Sequence, residues 1–286
     1  MKLGVITDGI SRDFEHALKV MKEFDLEYAE LQFLWDKEVG DLDADQRKKA
    51  LALIKDYDVK VSCISRHVFG NLPMASEVGD EAHSTHMAGL QRVIDMAHEF
   101  DVGMVRIMSG KKEMILWGYN GAEKWNVANG AWDSLVRLVE PAIRLAEKED
   151  VQLVVETGNG NMINSAYTAC KLIDDLGTDR LKVLWDSANA CFCHERMYPD
   201  AYETMKGGYL GHVHIKDVQV NTPQATLEVR EMCKGQLADQ FQPAADAMRA
   251  DGYDGVISLE SVYHPGNGNF EDGFRACIGK FKEIFG

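Results

Sequence analysis

The sequence predicts an α/β protein folded as a single (β/α)8 barrel domain over residues 1–286, and three observations carry that expectation. Short apolar runs rich in Val, Ile and Leu recur eight times along the chain. Stretches with apolar residues at three- and four-residue steps separate them. The length of 286 residues suits one large barrel, for which about 250 is typical. An open doubly wound sheet would want a glycine-rich phosphate turn after the first strand, and TDGISRD (7–13) is not GxGxxG.

The elements follow in order. LGVI (3–6) leads into the helical pattern SRDFEHALKVMKEFD (11–25), and YAELQ (28–32) into DADQRKKALALIKDYD (43–58). VKVSCI (59–64) precedes AHSTHMAGLQRVIDMAHEFD (82–101), and MVRI (104–107) precedes AWDSLVRLVEPAIRLAEKED (131–150). QLVVE (152–156), LKVLWD (181–186), LGHVHI (210–215) and GVISLE (255–260) complete the set. Such continuous runs mark parallel strands buried on both faces. Helix-to-strand junctions repeat one phrase, an acidic residue or Gly closing the helix, as in FDLEYAE, YDVKVSC, FDVGMVR, EDVQLVV and DGYDGVI. Two long segments, 108–130 and 216–242, follow strand ends, where barrel active sites are built. The aromatic stretch WGYNGAEKWNVANGAW (117–132), with Trp117, Tyr119, Trp125 and Trp132, reads either as a lid or pocket wall or as a packed structural loop.

A formal net charge of -15 and the lack of a basic run exclude non-specific binding to a phosphate backbone. Six scattered cysteines with no CxxC pair read as reduced thiols. Residues 1–10 enter a strand directly, with no secretory pattern, and no apolar run approaches the ~20 residues of a membrane span. The expected location is the cytoplasm. No nucleic-acid and no membrane partner is expected; a homo-oligomer stays open.

The strand ends carry the chemistry. Glu156, Asp186, His214 and Glu260 each close an apolar run of a different strand, so a barrel brings them to one mouth. Three carboxylates and an imidazole are costly to group without a compensating cation. This donor set suits one divalent metal ion, Mn²⁺ first, with Mg²⁺, Co²⁺ and Zn²⁺ also compatible. On strand 210–215, His212 and His214 share a face; His214 is the expected ligand because it is nearer the strand end, and His212 lies a layer deeper.

The phrases VVETGN (154–159), LWDSAN (184–189), GHVHIKD (211–217) and GYDGVISLE (252–260), in this order, resemble the xylose isomerase-like TIM-barrel superfamily. That group includes ketose 3-epimerases, hydroxypyruvate isomerase, and inosose isomerase and dehydratase enzymes. The resemblance implies that Glu156, Asp186, His214 and Glu260 bind the metal and that Glu156 and Glu260 form the acid/base pair. Asn189 stands where the epimerases commonly have a histidine, and Lys216, Asp217 and Gln219 stand near the usual place of an arginine. The expected activity is isomerisation or epimerisation of a keto sugar or related polyol carbonyl compound, through Glu/Glu proton transfer and a metal-stabilised enediolate. The alternative is a dehydratase or lyase acting on inosose or 3-keto-glycoside substrates at the same metal site, with His67 or Lys216 as the acid. His67, Asn189, Lys216 and Trp117 are the expected substrate contacts.

Overall fold

The computed structural model describes residues 1–112, 130–224, 226–266 and 268–286. The closed parallel barrel comprises β1 (Lys2–Ile6), β2 (Tyr28–Leu31), β3 (Lys60–Val68), β4 (Met104–Ile107), β5 (Gln152–Glu156), β6 (Leu181–Asp186), β7 (Leu210–Ile215) and β8 (Val256–Leu259). Each strand pairs with the next, and β8 closes on β1 through pairs such as Gly4 with Ser258. Around the barrel run α1 (Phe14–Glu23), α2 (Ala44–Asp56), α3 (Glu81–Glu99), α4 (Ala131–Lys148), α5 (Ala166–Leu176), α6 (Tyr202–Met205), α7 (Phe241–Ala250) and α8 (Phe270–Phe285). The eight apolar runs of the sequence are the eight barrel strands. No helix among the described residues is long and apolar enough to cross a membrane.

The recurring junction phrase has a backbone cause. Asp25, Asp58, Asp101, Asp150 and Gly252 all have left-handed φ, between 47° and 72°. In each case the next residue, Leu26, Val59, Val102, Val151 or Tyr253, donates its N–H to a carbonyl five residues back, at 2.8–3.1 Å. This is the Schellman closure of a helix, in which a left-handed residue reverses the chain and an apolar one follows it into the core. Aspartate tolerates that conformation better than most residues with a Cβ. The punctuation therefore encodes the turn from helix to strand.

Alternation sorts each strand's side chains into two environments. Val183, Trp185, Val213 and Ile215 pack outward in the core shared with the helices. Cys63, Val154 and Leu184, with Met104 against them, form a separate apolar plug inside the barrel. Toward the mouth from that plug the interior turns polar, with buried Glu30, Ser65, Arg106, His212, His214, Glu156 and Asp186. Two antiparallel hairpins that the sequence pattern did not single out follow strand ends: Phe33–Leu34 with Lys37–Glu38 after β2, and Asp217–Asn221 with Thr226–Arg230 after β7.

Candidate metal centre

At the C-terminal mouth, Glu156 from β5, Asp186 from β6, His214 from β7 and Glu260 just beyond β8 each offer a ligand atom, all within 4.8 Å of one another. Register does this: Asp186 and Ser258 both pair with His214 across neighbouring strands. Nδ1 of His214 lies 3.8 Å from Glu156 Oε1 and 3.8 Å from Glu260 Oε2. That is too long for a hydrogen bond, and the buried Nδ1 has no hydrogen-bond partner among the described residues.

The other ring nitrogen explains why Nδ1 is free. His214 Nε2 lies 2.9 Å from Glu30 Oε1, and His212 Nε2 lies 2.7 Å from Glu30 Oε2. Ser65 Oγ donates to the same Oε1. Burial opposes charge on Glu30, yet the two imidazoles hold its carboxyl well below the usual range, so it acts as an acceptor. Both histidines must then carry their hydrogen on Nε2. His214 is left with a lone pair on Nδ1 aimed at the carboxylates, the arrangement by which an outer carboxylate orients a ligating imidazole.

Cations already present do not balance the acids. Arg106 Nη1 donates to Glu156 Oε2 at 2.8 Å and Nη2 to the Ser65 carbonyl at 3.1 Å. Lys216 Nζ bridges Asp186 Oδ2 and Glu260 Oε2. Among the described residues, Glu30, Glu156, Asp186 and Glu260 thus face two permanent cations, leaving two negative charges for protons or a metal ion to compensate. The strain shows in the titration. Burial, joined by Glu260 and Glu156, outweighs Lys216 and lifts Asp186 to about 7. Burial also opposes a proton on His214, but Glu30 and Glu156 prevail and push it up to about 10. Either a proton or a metal ion on Nδ1 relieves that field. An orphaned nitrogen, three carboxylates and a deficit of two positive charges fit a divalent cation.

The remaining expected contacts are placed as follows. Asn189 gives its side-chain amide to Asp186 Oδ2 at 2.6 Å and to the Thr157 carbonyl at 2.9 Å, so it orients Asp186. Lys216 is turned onto two of the acidic residues. His67 stands half-exposed at the rim, bound to Glu38. Trp117, Tyr119 and Trp125 lie outside the described residues. Trp132 faces α5 and not the mouth: Nε1 donates to Asp175 Oδ2 at 2.6 Å and Lys171 Nζ sits 4.8 Å from the ring centre. Asp217 points away from the site and accepts backbone N–H groups of Val218, Gly235 and Leu237. Sequence reading missed Glu30, Arg106 and Glu38. Glu30 had a signal, an acid near the end of the apolar run YAELQ.

A family model described as xylose isomerase-like TIM barrel matches residues 18–280. No curated protein sequence matches the chain. Among solved structures, the IOLI protein with a bound zinc atom has a TM-score of 0.78 at 14% identity, covering 100% of this chain and 98% of that one. The probable 3-DHS dehydratase AsbF from Bacillus anthracis has a TM-score of 0.73 at 14% identity, over 96% of this chain and 98% of its own. D-psicose 3-epimerase from Clostridium cellulolyticum H10, determined with D-tagatose, has a TM-score of 0.71 at 15% identity, over 100% and 99%. At these identities the structural likeness is one of fold. The family match over nearly the whole length, on a closed eight-stranded barrel, places the chain in the xylose isomerase-like TIM barrel family.

Proposed function

We propose that the chain is a divalent-metal-dependent isomerase or epimerase of an unphosphorylated keto sugar or keto-inositol. The observation that carries this reading is the meeting of Glu156, Asp186, Glu260 and the unpartnered Nδ1 of His214 within 4.8 Å at the barrel mouth. Solved relatives of the same fold include an epimerase determined with a ketose and a protein holding zinc. The three carboxylates make Mn²⁺ the preferred ion, with Mg²⁺, Co²⁺ and Zn²⁺ compatible. The chemistry supplied by a bound divalent cation here is Lewis acidity toward a carbonyl and its neighbouring hydroxyl.

The chain's own residues move the protons. Burial disfavours ionised Glu156, but Arg106 draws it down to about 2, so it is a carboxylate at neutral pH. Lys216 and His214 likewise outweigh burial and hold Glu260 below the usual range. Both glutamates are therefore ready to accept a proton from the carbon beside the carbonyl. For isomerisation the glutamate that took the proton returns it to the neighbouring carbon, and for epimerisation its partner, once protonated, delivers one on the opposite face, while Lys216 holds Glu260 in place. Arg106 and Lys216 are each matched by carboxylates, which leaves neither free to clamp a phosphate.

The test is a panel of ketoses, inososes and 3-keto glycosides incubated with the Mn²⁺-loaded protein in deuterated water and followed by NMR. Deuterium at the carbon next to the carbonyl, with an epimer or isomer accumulating, is the expected result. Activity confined to phosphorylated sugars, or no exchange with any of the panel, refutes the reading.

A further inference from the structure

The β1 side of the mouth holds a carboxylate that neither the metal cage nor the proton transfer uses. Asp8 lies in a short 3-10 turn, Thr7–Gly9, that follows β1. Contacts on two sides fix this turn at the rim. Thr7 Oγ1 donates to the Glu30 carbonyl on β2 at 3.3 Å, and the N–H of Phe33, just beyond that strand, donates to Asp8 Oδ1 at 3.3 Å. On the other side Gly9 is pressed against Ser261, the residue after Glu260: a Cβ on Gly9 would lie 2.8 Å from the Ser261 carbonyl oxygen. Asp8 therefore stands between the acid that follows β8 and the polar end of β2.

Its charge is unmatched. Among the described residues Asp8 has no ion pair, and Arg12, the basic residue nearest in sequence, is turned to Asp36 at 3.1 Å and lies over the Phe33 ring, 5.0 Å from its centre. Burial pushes the Asp8 carboxyl up, and the Phe33 N–H, Arg106 and Arg12 pull it back only in part. Arg106 is buried in the barrel interior, so its field reaches a carboxyl on the inner side of the rim. Gln32 Nε2 and His67 Nε2, 3.4 Å apart, continue a polar arc over β2 and β3, with the Phe33 ring centre 6.2 Å from the imidazole. Strand order puts the cage over β5 to β8 and this arc over β1 to β3.

A polyol held at the cage by its carbonyl end lays the rest of its chain across that arc. A partly buried carboxylate without a counterion is costly unless donors reach it, and hydroxyl groups are such donors. An anionic group at the same place meets a like charge instead. We infer that Asp8 is a specificity-determining residue, which accepts hydrogen bonds from substrate hydroxyls remote from the carbonyl and turns away sugars whose far end carries a phosphate. Attraction for one substrate and repulsion of its competitor then act through one side chain. The class that fits is an uncharged polyol ketone long enough to span from the cage to the β1 turn. This rests on the reading above for where the carbonyl lies, and it narrows the substrate of that site.

The experiment is calorimetric binding of three probes to the Mn²⁺-loaded protein: a ketohexose, the same sugar lacking its far-end hydroxyl, and its far-end phosphate ester. Wild type is expected to bind the deoxy sugar about 10–10²-fold more weakly than the parent, the worth of a hydrogen bond to a charged acceptor, and the phosphate ester more weakly still. In Asp8→Asn the phosphate ester gains at least about 10-fold relative to the parent. In Asp8→Ala the parent and the deoxy sugar bind alike, and both variants keep the wild-type affinity for Mn²⁺. Equal weakening of all three probes, with a fall in Mn²⁺ affinity, marks a merely structural role and overturns the proposal. A wild-type preference for the phosphate ester overturns it, as does discrimination against the deoxy sugar that survives in Asp8→Ala, or no binding of any probe. Deuterium exchange at the α carbon, followed by NMR on the same samples in deuterated water, separates the two readings. Binding with the Asp8-dependent pattern but without exchange upholds the subsite and refutes the isomerase reading; exchange without that pattern does the reverse.

Discussion

Glu30 Oε1 lies 2.9 Å from His214 Nε2, and this contact ties strand β2 to strand β7 through the barrel interior. One carboxylate, wholly buried, thereby sets the tautomer of the imidazole that faces the acidic cluster. Glu30→Gln keeps the shape but replaces one acceptor oxygen by a donor NH₂, so one of His212 and His214 must shift its proton to Nδ1. Mn²⁺ affinity measured by calorimetry is expected to fall about 10–100-fold, the usual cost of losing an outer carboxylate. An affinity within error of wild type would break the link between Glu30 and the cation.

Glu156→Gln and Glu260→Gln are each expected to slow deuterium exchange at the substrate carbon by at least about 10²–10⁴-fold. Each also removes a carboxylate from the four-residue cage, so metal content is measured alongside the rate. A variant that keeps its metal and exchanges like wild type loses its assignment as base.

Lys216 holds Asp186 and Glu260 together, and its ammonium is itself pushed upward because those carboxylates outweigh burial. Lys216→Met leaves the two acids facing each other. In EDTA the variant is expected to lose about 3–5 kcal/mol, the range for breaking a buried pair from one side. Mn²⁺ then raises its Tm by more than it raises that of wild type, through preferential binding to the folded state. Equal Tm increments would argue against a shared position for ammonium and cation.

Stability without metal should decline with rising pH. His214 is raised to about 10 from an ordinary ~6.5, so its contribution is complete below ~6.5 and is lost as pH climbs to about 10. Asp186, raised to about 7, costs the fold stability as it ionises between ~3.9 and about 7. Glu156 has the opposite sign, its contribution vanishing as pH drops from ~4.3 through about 2. A cation takes the place of the His214 proton, so the Tm increment from Mn²⁺ should grow between about pH 6 and about pH 9. Differential scanning fluorimetry with EDTA or Mn²⁺ decides this, and an increment that shrinks with pH contradicts it.

Asp217 anchors the segment after β7. Its carboxylate accepts N–H groups from Val218, Gly235 and Leu237 at 2.8–3.1 Å, and a Cβ on Gly235 would lie 2.3 Å from Oδ1. Asp217→Ala strands these donors, those of buried Val218 and Leu237 among them, and is expected to cost about 2–6 kcal/mol in urea unfolding, at about 1–3 kcal/mol for each of the two buried groups. A cost under about 0.5 kcal/mol, that of an ordinary surface change, would show the anchor to be dispensable.

Local pattern alone determined the barrel and the acidic strand ends. Apolar runs read as strands because parallel strands are buried on both faces, and the junction aspartates read as stops because a helix closes through a left-handed residue. Period-two alternation put His214 on the same face as His212, and the strand ends Glu156, Asp186 and Glu260 were visible as acids closing hydrophobic runs. What Glu30 touches was not legible, because its partners His212 and His214 lie 182 and 184 residues away and only barrel closure and register bring them to it. The same holds for Arg106 on Glu156, for Asn189 turned onto Asp186, for Trp132 turned outward to α5, and for Glu38, whose two-residue strand is too short to leave a pattern. Propensity and periodicity act over a few residues and decide which element forms. Partner choice for a buried polar group is made across the whole chain, once closure fixes which side chains share one dry interior.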